Sequence, residues 1–451
     1  MKHQPELDPE FIAAAVFNRN YLKAAESATD KCTLTIALER PDGSCFHTRR
    51  VISPSTPNTQ LFVERLVKFL LWMQGGSKLY ITDKSSADLL STIYSKSGAR
   101  AFDCDLIGTK VFASDIQFIY CTEEDLPKEK TNNRAQGRNL DGCRIGFDLG
   151  GSDRKCAAVI DGKVVFSEEV EWSPYFESDP QYHIDGIQAS LEEAAKHLPR
   201  VDAIGGSAAG VIVNSEVRVS SLFRGISPED TEKYIRRIFY DFRDKWAVPF
   251  ELVNDGDVSA LAGSMSMDAN GVLGISMGTS LAAGYVNAQG NITSWLNELA
   301  FAPIDYREDA PVDEWSGDAG CGVQYFSQQA VARLAGIAGF EFPEEMPFPE
   351  QLIKVQEAMA SGDDKAAAIY RTIGTYFGYT IAHWADFYEI NKLMILGRVT
   401  SGQGGDLIIS TAKKILENEF PEHAGIDIVT PNENDKRHGQ AIAAASLPAL
   451  D

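Results

Sequence analysis

Two glycine turns, each set between two β-type runs, constrain this chain more than any other feature: DLGGSDRK at residues 148–155 and GISMGTSLAAG at residues 274–284. In the first, Gly150 and Gly151 place backbone N–H groups against a ligand with no Cβ in the way, and Ser152 adds a hydroxyl donor. Such a turn suits phosphate oxygens, although two glycines also make an ordinary hairpin. Asp148 strengthens the first reading, because an acid at the strand end can hold a metal ion through water. The second turn repeats the logic with Gly278, Thr279 and Ser280. A third cluster, GRVTSGQGGD at residues 397–406, follows the run KLMIL and precedes a helical pattern. Its backbone can approach a flat ring such as adenine, and a plain strand-to-helix loop explains it about as well. Between the first two turns lies LVNDGDVSALAG, with Asn254 and Asp255 just past a strand and at the start of a helix. An Asp there caps the helix; between two phosphate-sized turns, it also stands where phosphoryl transfer needs a base. No GxxxxGK[ST] segment occurs, so a P-loop is not the source of these turns.

The surrounding pattern is α/β. Before residue 123 the runs CTLTIALE and CFHTRRVI flank a PDG turn as a hairpin, and NTQLFVERLVKFLLWMQ has helical spacing. KLYIT then reads as a strand, SADLLSTIYSK as a helix and FDCDLIG as another strand. Residues 123–141 are polar and nearly free of large apolar side chains, which predicts a linker. Beyond it, RIGFDLGG, CAAVI and KVVFSEEVEW form a three-stranded meander, and a helix leads to the strand VDAIGGSAAGVIV. Strands at PFELVND, VLGISMGT and LAAGYVNAQGNI follow, then helices near 325–336, 350–361 and 364–390, the strand KLMILG and a last pair of helices.

At 451 residues the chain is long enough for two or three domains. A formal charge of −22, with no basic block to offset it, argues against a nucleic-acid partner. Glu64, Arg65 and Lys68 interrupt the most apolar run, and the N-terminus lacks a basic-then-apolar signal, so a membrane partner is not expected and a cytoplasmic location is. The seven cysteines are scattered and odd in number, without a CxxC pair, which predicts free thiols.

The order DLGGS, GGSAAG, VNDGD, SMGTS, ILGRVTSGQGG resembles the ROK family of bacterial sugar kinases and related repressors, over roughly residues 143 to 448. The resemblance implies an actin-like (ribonuclease H-like) ATPase fold of two lobes around a nucleotide cleft, plus an N-terminal α/β accessory domain. The corresponding divisions are 1–122 for the accessory domain, 123–141 for the linker, 142–262 with the C-terminal helix 436–451 for the first lobe, and 263–435 for the second. It further implies ATP and Mg²⁺ as cofactors, with Gly150, Gly151 and Ser152 as the first phosphate motif, Gly278, Thr279 and Ser280 as the second, and Gly397, Gly402 and Gly405 beside the adenosine. Asp148 would hold Mg²⁺ through water, and Asp255 matches the family's catalytic Asp. Asn254, Glu298, Ser207 and Gly210 match sugar-binding positions. Phosphorylation of a hexose or related carbohydrate is the implied activity, and a kinase-derived sensor that binds sugar or nucleotide without turnover is the alternative.

Departures from the family pattern are specific. Where its kinases carry Glu-x-Gly-His and a CxCGxxGCxE zinc loop, NELAFAPID keeps Glu298 but has Phe301 at the His position. SGDAGCGVQY keeps only Cys321, with Ser316 and Val323 at the positions of a Cys and a sugar-contacting Glu. One Cys without a nearby His cannot complete a tetrahedral site, so zinc is not expected, and an atypical sugar or polyol is the expected substrate. Asp309, Asp313 and Glu314 are local acids for the lost partners, or merely solvated. The N-terminal segment has no recognition helix rich in Arg, Lys, Asn or Gln, which argues against DNA-binding regulation. Homodimers are common in the family; nothing in these residues fixes one here.

Overall fold

The computed structural model describes residues 1–131, 136–431 and 433–450, without the side chains of 433–438. Fifteen strands form three main sheets and one small hairpin among these residues. The first sheet has the order β2-β1-β3-β4, from Cys32–Glu39 (β1), Cys45–Ile52 (β2), Lys78–Ile81 (β3) and Gln117–Tyr120 (β4). The second has the order β11-β8-β5-β6-β7, with the meander Cys143–Leu149 (β5), Asp153–Ile160 (β6) and Lys163–Glu171 (β7). Ala203–Ala208 (β8) and Phe250–Asn254 (β11) run parallel to β5 on its other side, which requires the helix Pro180–Ala195 as a crossover. The third sheet has the order β13-β12-β14-β15, from Val272–Met277 (β12), Leu281–Val286 (β13), Lys392–Leu396 (β14) and Asp427–Val429 (β15).

The expected run VDAIGGSAAGVIV is not one strand. It ends at Ala208, turns through Gly210 and continues as Val211–Val213 (β9), which pairs with Glu216–Val219 (β10). FDCDLIG is not a strand at all. It lies in helical turns over Ala101–Val111, where Asp103 is fully buried and accepts from Lys68 Nζ at 3.0 Å and Trp72 Nε1 at 3.2 Å. Its Phe-Cys-Leu alternation imitates a strand period, and the tertiary salt link overrides it. The structure also has the helix Ala14–Ser27, on which the sequence reading is silent: its buried stripe is Ala14, Ala15, Tyr21 and Ala25, too small a set to mark an amphipathic face.

The core explains how these parts hold together. Buried residues of the N-terminal segment (Phe62, Phe69, Leu70, Trp72) and of the third sheet with its helices (Ile275, Tyr325, Tyr376, Trp384) belong to one continuous cluster. Phe11 packs on Tyr325 and Tyr376 with ring centroids 5.6 and 4.7 Å apart. The second sheet has a core of its own around Phe147, Phe239 and Phe250. The C-terminal helix Glu433–Ala445 returns to it, burying Ala443 and Ala444 with Val253 and Leu261. Of the 123–141 segment, residues 132–135 lie outside the described residues. The rest is tied down: Cys45 and Lys130 exchange backbone hydrogen bonds, and Arg138 Nη2 donates to Ser264 Oγ at 2.7 Å and Asn270 Oδ1 at 2.8 Å. Among the described residues no helix is long and apolar enough to cross a membrane.

Candidate active site

Three parallel strands of the second sheet end together. Register sets Asp148 beside Ser207, and Ala208 beside both Leu149 and Asn254, so Asp148, Ser207 and Asn254 share one carboxyl edge, the place where open α/β sheets bind ligands. Ser207 Oγ donates to Asp148 Oδ1 at 2.5 Å. Burial nevertheless holds the Asp148 pKa above its ordinary value, with the Ser207 hydrogen bond and the Lys155 charge pulling the other way. Lys155, directly opposite Asp148 on β6, bonds Asp153 at 3.1 Å. It is a cation at the first glycine turn that sequence reasoning missed, because only the strand register reveals it.

Asn254 caps the helix Asp255–Ser266: its Oδ1 accepts from the Gly256 N–H at 2.6 Å, while its Nδ2 donates to the Gly210 carbonyl at 2.7 Å. Both ends of the amide thus have protein partners, which leaves one N–H and one lone pair for a further hydrogen bond each. Gly210 serves the turn between β8 and β9 and the anchoring of Asn254 through its carbonyl.

Asp255 opens the helix, half-buried, and one carboxylate oxygen accepts from the Gly256 N–H at 2.9 Å. Burial first, then the Asp148 charge, push its pKa up to about 6. Two further acids crowd it. Asp257, a buried residue, accepts from Asn297 Nδ2 at 3.1 Å, and burial above all lifts its pKa to about 8. Glu298 is lifted to about 7 by burial and by Asp255. At neutral pH this places an ionised Asp255 beside a protonated Asp257, with Glu298 poised between the two states. Asp257 was invisible in sequence, where it reads as an ordinary first-turn helix acid.

The helix that Asp255 begins leaves the second sheet and lies on the third. Gly284 of β13 makes this possible, since a Cβ there would fall 2.1 Å from the Gly256 carbonyl oxygen. Ser280 at the tip of the second glycine turn is four residues from Gly284, so the tip lies on the order of 13 Å along β13 from the start of that helix. Thr279 and Ser280 are exposed there, and the Gly278 N–H closes the turn on the Ser280 carbonyl at 2.9 Å. Gly397 (φ +96°) abuts the same edge: a Cβ would meet the Met277 carbonyl oxygen at 2.3 Å, and β12 and β14 end side by side. Gly402 precedes and Gly405 lies within the first turn of the helix Gln403–Glu419. The structure therefore gathers Asp148, Ser207, Gly210, Asn254, Asp255 and Glu298 on one side, and Gly278 and Gly397 on an adjoining edge.

At the first turn, the Gly150 N–H bonds the Asp153 carbonyl at 3.0 Å, and Trp172 Nε1 donates to the Gly150 carbonyl at 2.8 Å. Ser152 Oγ is engaged by Asp153 at 2.8 Å, so it is not the spare donor that the sequence suggests. The Tyr175 hydroxyl lies over Gly151, 1.8 Å from where a Cβ would stand.

The surroundings of Phe301 and of Cys321 are filled by the N-terminal segment. Phe301 packs between Trp72 (4.5 Å) and Trp315 (5.2 Å). Asp318 accepts from Lys68 Nζ at 2.5 Å and pairs with Arg100, and the Cys321 thiol is buried beside them. The helix Thr59–Met73 thus docks against Phe301, Asp318 and Cys321. Its C-terminal carbonyls are used in the site: Met73 accepts from the Asn297 N–H at 2.9 Å and Trp72 from the Glu298 N–H at 3.0 Å. Of the three local acids, Asp313 is buried and holds the Ser316 turn, whereas Asp309 and Glu314 are exposed.

No protein-family model and no curated protein matches this sequence. Solved structures do. A ROK hexokinase from Thermus thermophilus aligns with a TM-score of 0.53 at 17% identity, over 68% of this chain and 97% of that one. A ROK family transcriptional regulator, described as a homolog of the E. coli MLC protein, aligns with a TM-score of 0.53 at 20% identity, over 68% of this chain and 79% of that one. The chain therefore has the two-lobed, actin-like ATPase fold found in ROK proteins, and about a third of it lies outside the likeness.

Proposed function

We propose that this protein is an ATP-dependent carbohydrate kinase that transfers the γ-phosphoryl group of ATP to a sugar hydroxyl. The observation that carries the reading is Asp255: a carboxylate with its pKa pushed to about 6, at a helix start between the two glycine turns and beside Asn254. The Thermus thermophilus hexokinase of the same fold supports it.

In this reading the Gly150–Ser152 and Gly278–Ser280 turns grip the β and γ phosphates, and Gly397, Gly402 and Gly405 bring backbone against the adenosine. Asp148 holds Mg²⁺ through water. Ser207 engages one oxygen of the Asp148 carboxylate, and the other would accept from the water of a hydrated cation. When bound, Mg²⁺ neutralises charge developing on the transferring group. Asp255 accepts the acceptor's hydroxyl proton as that oxygen bonds to the γ phosphorus and the bond from phosphorus to the ADP oxygen breaks. A base near pKa 6 suits this better than the ordinary carboxylate near 4 expected from sequence, because it stays ionised at neutral pH and holds the proton more firmly. Protonated Asp257 and the Glu298 carboxyl sit where a substrate hydroxyl needs partners.

The second reading, a sensor without turnover, rests on the transcriptional regulator that shares the fold. Purified protein incubated with ATP, Mg²⁺ and a panel of hexoses, hexosamines and polyols separates the two. Acceptor-dependent ADP release supports the kinase, and binding of sugar or nucleotide without ADP release supports the sensor.

A further inference from the structure

The acceptor end of the site opens into a cleft of about 530 Å³, lined by Asn254 and Asp257 at its inner end. One wall belongs to the second sheet's lobe, with Asn214, Arg218, Tyr240 and Arg243. The facing wall is built from Phe112 of the N-terminal segment and the stretch Thr293–Leu296. Arg40 makes that wall one piece: its guanidinium donates to Ser294 Oγ at 2.6 Å and to the Gly75 carbonyl at 3.2 Å, and also to the Gln74 carbonyl. A single pyranose fills only part of a space of about 530 Å³.

The outer part is furnished for a polar, ring-shaped occupant. Thr293 is 4% exposed, and its hydroxyl has no hydrogen-bond partner among the described residues. Arg218 is held to Glu216 by Nη2 at 2.6 Å, but its buried Nε likewise has no partner. Buried polar groups are ordinarily paired, so two unpaired ones on residues that line one cleft point to a ligand's hydroxyl or ring oxygen, reached by a small side-chain shift. Phe112 adds an apolar ring to this lining, suited to the C–H face of a pyranose, while the Tyr240 ring carries Arg243 at 4.5 Å and Trp295 stacks on Tyr285 at 5.4 Å.

We propose that the acceptor is a carbohydrate of at least two units, a disaccharide or glycoside. The ring to be phosphorylated lies at Asn254 and Asp255, and the second ring lodges between Arg218 and Tyr240 on one side and Phe112 and Thr293 on the other. The N-terminal segment is then a specificity wall of the site. This rests on the kinase reading for the role of Asp255, but not for the existence of the outer subsite.

The test compares maltose, cellobiose, trehalose and p-nitrophenyl glycosides with their parent monosaccharides on the full chain, by calorimetric binding and by ADP release. At least one two-ring probe is expected to show a tenfold or greater advantage over its monosaccharide in Kd or kcat/KM. Phe112→Ala and Arg218→Ala, introduced on opposite walls, are each expected to reduce that advantage at least fivefold, and Arg218→Lys to restore part of it. Monosaccharides that bind and react as well as every two-ring probe overturn the subsite while leaving the kinase reading intact. Two-ring binding that is sensitive to both variants, without ADP release, supports the subsite and sinks the kinase reading. Failure of every two-ring probe to bind overturns the subsite.

Discussion

Asp255, Asp257 and Glu298 differ in what their surroundings do to the proton, and that difference is measurable. Asp255 must be ionised to act, so kcat/KM is expected to fall below about pH 6 with a slope of one proton. Asp255 titrates near 6 while Glu298, near 7, still carries its proton, so Glu298→Gln should leave that limb in place; a limb that moves to lower pH would show that Glu298 is already charged there. For Asp257 the sign runs through stability. Its folded-state pKa of about 8 lies above the unfolded value, so the stabilisation it contributes is complete below about pH 4 and is lost as pH rises toward 8. Asp257→Asn removes that loss. The variant's Tm relative to the parent should therefore improve by roughly 2–4 °C or more between pH 6 and pH 9, and thermal melts at the two pH values check it. Asn254, Asp255 and Glu298 were legible in sequence because each stands in a motif. Asp257 and Lys155 were not, because their significance is burial and register, which no short spacing encodes.

The helix Thr59–Met73 lies where its apolar spacing predicts it, whereas the turns Ala101–Val111 stand in place of an expected strand. FDCDLIG reads as a strand because Phe102, Cys104 and Leu106 alternate with Asp103 and Asp105, a period too short to decide between forms. What decides it is Lys68, fully buried, whose ammonium lies between Asp103 and Asp318. Removing Asp103 leaves that charge without one of its two partners, and breaking such a buried pair typically costs about 3–5 kcal/mol. Asp103→Ala should lower the urea midpoint accordingly, whereas a cost under about 1 kcal/mol would place the network among those that contribute little. The effect should reach the site as well, since the same helix accepts from the Asn297 and Glu298 N–H groups. Elements carried by local signals fare better: the meander β5–β7 and the strands β11, β12 and β14 lie where the periodicity puts them, whereas β13 stops at Val286 rather than Ile292 and the long helix Asp364–Ala385 ends before 390.

At the scale of the whole molecule, the two lobes follow from the glycine turns, but the union of the N-terminal segment with the third sheet does not. That union is a long-range fact: Phe11 meets Tyr376, Trp72 meets Phe301, and Lys68 meets Asp318 across some 250 residues of sequence. Local patterns mark which residues are apolar and not which distant partner they bury against. A chain truncated to 123–451 would expose the Tyr325 and Phe301 side of its core. It is expected to be insoluble or to bind a hydrophobic dye strongly; a soluble truncation that melts cooperatively near the full chain's Tm would contradict the shared core. The same union places Phe301 and Cys321 in a surface on which the N-terminal segment docks.

The central claim is that Asp255 receives the acceptor's proton between two phosphate-gripping turns. Its most direct measurement is the rate of acceptor-dependent ADP release by Asp255→Asn against the parent, with Mg·ATP binding followed in parallel. A loss in kcat of at least about 100-fold with nucleotide affinity retained is the predicted result. Turnover close to the parent's would contradict the account.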